Sequence, residues 1–241
     1  MPHISLLALI LCLTPILGVM WIGHKWSGSA WETGFATVRM LVQLLVVGFV
    51  LVFLFAEPNP LAGLVVVIVM IIASAAIGIR KVQENRRAAF WKACLAIGLP
   101  GALILFFVLF AILQLQDPWY QPRLAIPIAG MIFSNAMTAL TLAAERLQSE
   151  ESAGASFEKA RNAAWGAALI PQINGLLAVG LVSLPGMMTG QILSGVDPLI
   201  AVRYQIVVMA MLLQSAGYSV AIFLWLSRRG ASAGSTSNNA S

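Results

Sequence analysis

Two kinds of donor recur inside the apolar stretches of this 241-residue sequence: side-chain amides or hydroxyls, and methionine thioethers. Gln43 stands one turn beyond Arg39. Ser134 and Asn135 are flanked by Met131 and Met137, and Gln172 and Asn174 follow Pro171. Met187, Met188 and Gln191 come next, then Gln205, Met209, Met211 and Gln214. A polar group in hydrocarbon must find a partner or line a wet path. Soft sulfur beside amide oxygen can also hold a transition metal weakly. Met131, Ser134, Asn135, Asn174, Met187, Met188 and Gln205 are therefore the candidate lining of a translocation path, with the identity of any metal left open. The alternative is plain packing, in which such amides hydrogen-bond to neighbouring helices for about 0.6 kcal/mol each and methionine fills gaps.

Other chemistry is poorly supplied. No acidic residue falls in the middle of an apolar stretch, which argues against a proton-driven pump. No serine has an intramembrane His or Asp to activate it, which argues against a protease. Cys12 and Cys94 each lie in an apolar run, so neither a disulfide framework nor a zinc cluster is expected. His3 and His24 flank the first apolar stretch on opposite sides and are better read as interfacial residues than as ligands.

The elements that must carry these groups are membrane helices. The chain is 60% hydrophobic and 10% charged, with a mean hydropathy of +0.90, whereas a soluble domain carries about 25% charged residues. Seven apolar stretches predict an all-α, polytopic protein: 4–22, 35–55, 61–79, 93–115, 124–144, 164–188 and 199–226. The first is expected to be a retained helix rather than a signal peptide, because Pro2-His3 is not a basic leader and no small-residue cleavage site follows. Residues 1–230 form one membrane domain, and the Ser/Gly/Asn-rich 231–241 a disordered tail. The net charge of +5 has no soluble basic face on which nucleic acid could bind.

With the N-terminus outside, twelve of the 14 Lys and Arg residues fall inside, leaving only Arg123 and Arg203 outside. Basic residues favour the inner side, so the expected orientation is N-out, C-in, in the plasma (inner) membrane. No loop has room for a nucleotide-binding domain, and no phosphate-cradling glycine loop ends in Lys-Ser or Lys-Thr. Active transport would need a partner or an ion gradient. Pro127, Gly130, Pro171 and Gly175 punctuate the fifth and sixth stretches, and residues 183–190, with Pro185 and Gly186, are expected to break the sixth helix. Asp197-Pro198 reads as a cap and first residue of the seventh.

Several of these segments carry a resemblance. Residues 126–132 (IPIAGMI) with Asn135-Ala136-Met137, residues 168–171 (ALIP), residues 179–190 (VGLVSLPGMMTG), Gly195-Val196-Asp197-Pro198 and Arg203-Tyr204-Gln205-Ile206 resemble the FetB-like family of ABC-transporter permeases. Arg39 with Val42-Gln43-Leu44 and Gly48 fits the second helix of that family. Bacterial members are associated with iron efflux and plant relatives with aluminium tolerance. Two departures are the shortened segment 152–156 and a changed set of span residues, with Ser134 where glycine is usual and Gln172-Ile173-Asn174 in place of a more Thr- and Asp-like pattern. The resemblance implies a non-enzymatic permease homodimer in the lipid bilayer, served by a separate cytoplasmic ATPase that uses ATP and Mg. It also implies a short coupling helix between the fifth and sixth spans, with Glu151, Gly154, Ala155, Phe157 and Lys159 as docking residues. The other classes are a permease for a non-metal solute, a passive channel and a structural membrane subunit.

Overall fold

The computed structural model describes residues 5–56, 59–82, 85–115 and 120–235. Its nine α-helices among these residues divide between two compact units, 1–57 and 58–241. The first unit holds α1 (Leu6–Leu13), α2 (Pro15–Ser27) and α3 (Ala30–Ala56). Pro15 cannot donate to the preceding turn, so the first apolar stretch divides there into α1 and α2. Gly28, with φ of +69°, ends α2 and lets the chain fold back into α3. The Lys25 ammonium lies 4.3 Å from the centre of the Trp21 ring, a cation–π pair at the end of the span.

The second unit holds α4 (Pro60–Gly78), α5 (Arg86–Phe106), α6 (Pro122–Ser152), α7 (Phe157–Ala178), α8 (Gly186–Leu193) and α9 (Pro198–Ser235). A π-helical stretch, Phe107–Ile112, continues α5. Residues 236–241 of the expected tail lie outside the described residues. Helix α6 is the centre of this unit and packs along α4, α5, α7 and α9. Small residues make that possible. Ala129, Ala136 and Ala143 on α6 and Ala160, Ala164 and Ala168 on α7 are all fully buried. Their spacing of four and seven keeps each set on one helical face, so the backbones approach closely. Gly101 of α5 serves the same end: a Cβ there would lie 2.5 Å from Cε1 of Phe133.

The structure is all-α and multi-pass, with refinements of the expected spans. Among the described residues six helical segments are long and apolar enough to cross a membrane. The expected sixth span, 164–188, is not one continuous helix. It comprises most of α7, a turn and the start of α8. The first turns of α7 carry Glu158, Lys159, Arg161 and Asn162, which leaves it too polar to qualify alone. The break also comes earlier than expected: α7 ends at Ala178, Gly180 takes φ of +82°, and Pro185 caps α8 rather than interrupting a helix. Asp197 does cap α9, its Oδ1 accepting from the Leu199 and Ile200 amides at 2.8 and 3.3 Å.

The separate coupling helix expected between the fifth and sixth spans is absent. Residues 145–152 extend α6, and Phe157 opens α7 itself. Helix propagation explains this: once a turn exists, each added residue gains a hydrogen bond, and nothing before Gly154 stops α6.

Candidate functional site

The candidate path residues separate into three groups. Asn135, on α6, ties that helix to α9: its Nδ2 donates to the Leu212 carbonyl at 2.6 Å and to Ser215 Oγ at 3.1 Å. Ser215 in turn donates to Leu212 at 2.9 Å. The Asn135 amide nitrogen is thus committed to helix packing. Met131, one turn earlier, is half-buried against the core. Ser134 is exposed and returns its proton to the Met131 carbonyl at 3.3 Å, and Thr138 does the same to Ser134 at 3.0 Å. Asn174 is exposed on α7.

A second group lies where α8 packs on α9. Met187 and Met188 are half-buried at the start of α8, and Met187 joins the core. Gln205 on α9 is 5% exposed, and its Oε1 has no hydrogen-bond partner among the described residues. Gln191 of α8 also has an Oε1 without a partner there. Leaving a buried carbonyl unpaired costs about 1–3 kcal/mol, a cost that Gln205 and Gln191 both carry among the described residues. Ser219, fully buried on α9, has a hydroxyl without a hydrogen-bond partner among the described residues. Met209 lies nearer the middle of α9, with its methyl 3.8 Å from where a Cβ on Gly175 would sit, at the α7–α9 contact. Among the described residues no group of three His, Cys, Asp or Glu side chains could hold a metal.

The third group is the expected docking segment: Gly154 and Ala155 lie in the α6–α7 turn, Glu151 on the last turn of α6, and Phe157 and Lys159 on the first turn of α7. The amide of Ala155 donates to the Glu150 carbonyl and that of Gly154 to Glu151, both at 3.0 Å. With Gly154 at φ +83° this is a Schellman stop, the glycine supplying the left-handed residue that closes α6. Ser156 then caps α7, its Oγ accepting from the Lys159 amide at 3.5 Å. Phe157 is half-buried against the core, whereas Glu151 and Lys159 are exposed. Arg146 and Glu150 form an ion pair at 2.6 Å on the last turns of α6. A cavity of about 410 Å³ opens beside this turn, bounded by Asn85, Lys92, Gln148, Glu151 and Ser227. It joins the basic α4–α5 segment to the ends of α6 and α9.

One feature escaped the sequence reading. A groove of about 320 Å³ runs between α5 and α9, with Gln214 and Tyr218 in an otherwise apolar lining. Tyr218 is 59% exposed, one turn from Gln214, and sits in the interior of α9 rather than at a span end where tyrosine usually anchors. That misplaced phenol was the available signal.

Residues 4–231 match the uncharacterised protein family UPF0014. A UPF0014 membrane protein of Synechocystis is 36% identical over 211 residues, 81% of this chain and 80% of the relative. The probable iron export permease FetB of Escherichia coli is 35% identical over 244 residues, 92% and 89% of the two chains. The ALUMINUM SENSITIVE 3 protein of Arabidopsis thaliana is 34% identical over 204 residues, 78% and 72%. No solved structure shows significant similarity. The likeness to FetB-like permeases that the motifs carried therefore extends over nearly the whole chain, and this multi-pass membrane protein belongs to the UPF0014 family.

Proposed function

We infer that the chain is the transmembrane permease subunit of an ATP-driven exporter of iron or another metal cation. The observation that carries this reading is 35% identity, across 92% of the chain, to a probable iron export permease. The energy comes from a separate cytoplasmic ABC ATPase that uses ATP and Mg, and two copies of the permease share the translocation path. The tight α6–α7 turn supports the docking half of the reading: it is largely exposed and has Glu151 and Lys159 on either side of Gly154. Twelve of 14 basic residues on one side support an inward-facing location for that turn.

The path is assigned to α8 and α9, on which Gln205 offers a buried carbonyl oxygen and Met187 and Met188 offer thioethers. Neutral oxygen and sulfur donors bind a soft or borderline cation weakly, and weak binding allows release in each cycle. Asn135 contributes by holding α6 to α9. The test is ATP hydrolysis by the reconstituted permease–ATPase complex across a panel of metals and organic solutes. Stimulation by iron or a similar cation is expected. Stimulation by an organic solute alone, or transport that is indifferent to the ATPase, would replace this reading with a solute permease or a passive channel.

A further inference from the structure

A second groove, about 350 Å³, lies between the first turns of α7 and the last turns of α9. Phe157, Arg161 and Trp165 recur every four residues on α7, and Trp225 and Arg228 line the facing side of α9. From Phe157 to Trp165 the groove spans about 12 Å at 1.5 Å per residue. Along that length Arg161 lies between two aromatic rings, so charged and apolar side chains share one wall of the groove. The lining contains two arginines and no acid. Arg161 is oriented by Asn162, whose Oδ1 accepts from Nε at 3.3 Å and from Nη2 at 3.2 Å. Its Nη1 makes no bond among the described residues. Glu158 approaches Nη2 only to 3.7 Å, and its side chain is 80% exposed. Arg228 is exposed and has no acidic partner among the described residues. Two guanidinium groups with spare donors thus converge above tryptophan rings, at the end of the molecule where basic residues collect.

We propose that this groove binds an anionic phospholipid, its phosphate between Arg161 and Arg228 and one acyl chain along Trp165, Leu224 and Trp225. Charge complementarity selects the headgroup, and bidentate arginine suits a phosphate oxygen pair. The apolar side chains of the lining, Phe157, Trp165, Leu224 and Trp225, select a lipid over a free anion. This site is independent of the transported substrate: it uses none of the path residues.

Tryptophan quenching by acyl-brominated lipids tests it on the full-length chain in nanodiscs. The Trp165→Phe/Trp225→Phe variant identifies the signal that belongs to the groove. Each basic residue near an anionic headgroup is worth about fivefold in affinity. Brominated phosphatidylglycerol is accordingly expected to quench that signal at a mole fraction about 25-fold below brominated phosphatidylcholine. The Arg161→Gln/Arg228→Gln variant should bring the ratio near one, and Arg161→Lys/Arg228→Lys should retain most of it. Equal quenching by the two lipids in the unaltered chain overturns the proposal whether or not the glutamine variant folds. So does a ratio that persists in the folded glutamine variant. Loss of the ratio on adding inorganic phosphate would assign the groove to a soluble anion. A ratio unaffected by the glutamines, with the ATPase no longer co-purifying, would assign it to protein docking.

Discussion

Asn135 and Gln205 are both amides in membrane helices, yet their surroundings set them to different tasks. Asn135 spends its nitrogen on the Leu212 carbonyl and Ser215 hydroxyl. Removing it leaves those acceptors to find other partners, for a loss of about 0.6–1.7 kcal/mol by the range seen in membrane bundles. Asn135→Ala should therefore lower the thermal midpoint of the purified protein while leaving unchanged which metal stimulates the ATPase. A change in metal preference would return Asn135 to the path. The buried Gln205 Oε1 has no partner among the described residues, so an apolar residue of similar shape removes a penalty rather than an interaction. Gln205→Leu is expected to hold or raise the thermal midpoint and to reduce metal-stimulated hydrolysis. Full stimulation in a stable Gln205→Leu protein would strike that residue from the path.

The α6–α7 connection shows how one residue decides the geometry of an element boundary. Nothing lies within 4 Å of where a Cβ on Gly154 would be, so a larger side chain meets no neighbour in the chain. What Gly154 supplies to the chain is therefore its backbone conformation rather than space. Its φ of +83° costs a side-chain-bearing residue about 1–2 kcal/mol, and a β-branched one more. Gly154→Val should loosen the Schellman stop and shift the Ser156 cap. The expected outcome is weaker co-purification of the ATPase with an unchanged far-ultraviolet circular dichroism spectrum, and Gly154→Asn should be milder because asparagine tolerates this region. Co-purification at the normal level would move docking to the neighbouring cavity around Lys92 and Gln148. At the α5–α6 contact the opposite limit applies: Gly101→Val drives a side chain into the Phe133 ring. Overpacking of that kind costs about 1–3 kcal/mol, read as a fall in the thermal midpoint.

For the molecule as a whole, orientation is the property that ties site to function. The expected N-out, C-in arrangement would place the α6–α7 turn, the 410 Å³ cavity and the arginine groove together on the cytoplasmic side. Cysteines at positions 57 and 117 should react with an impermeant reagent applied outside intact cells. Cysteines replacing Arg86 or Ser156 should react only after permeabilisation. Labelling of Arg86→Cys from outside would invert the molecule and remove the turn from the reach of a cytoplasmic ATPase.

Composition alone determined that this chain lives in a membrane, because 10% charged residues cannot cover a soluble surface. Local sequence determined several helix boundaries for equally direct reasons: Pro15 lacks a donor, and Asn59, Gly154, Ser156 and Asp197 act through bonds to residues within five positions. The motifs determined the family, since a run such as 179–190 needs no fold to be read. Tertiary structure decided what lies beyond that range. Whether Phe157 begins a separate helix or opens α7 depends on its continuous packing against the core. Whether an amide is satisfied depends on a partner such as Leu212, 77 residues away from Asn135, and no local pattern encodes that distance. The pairing of Arg161 with Arg228 across one groove is of the same kind: α7 and α9 must pack before their charges share a site.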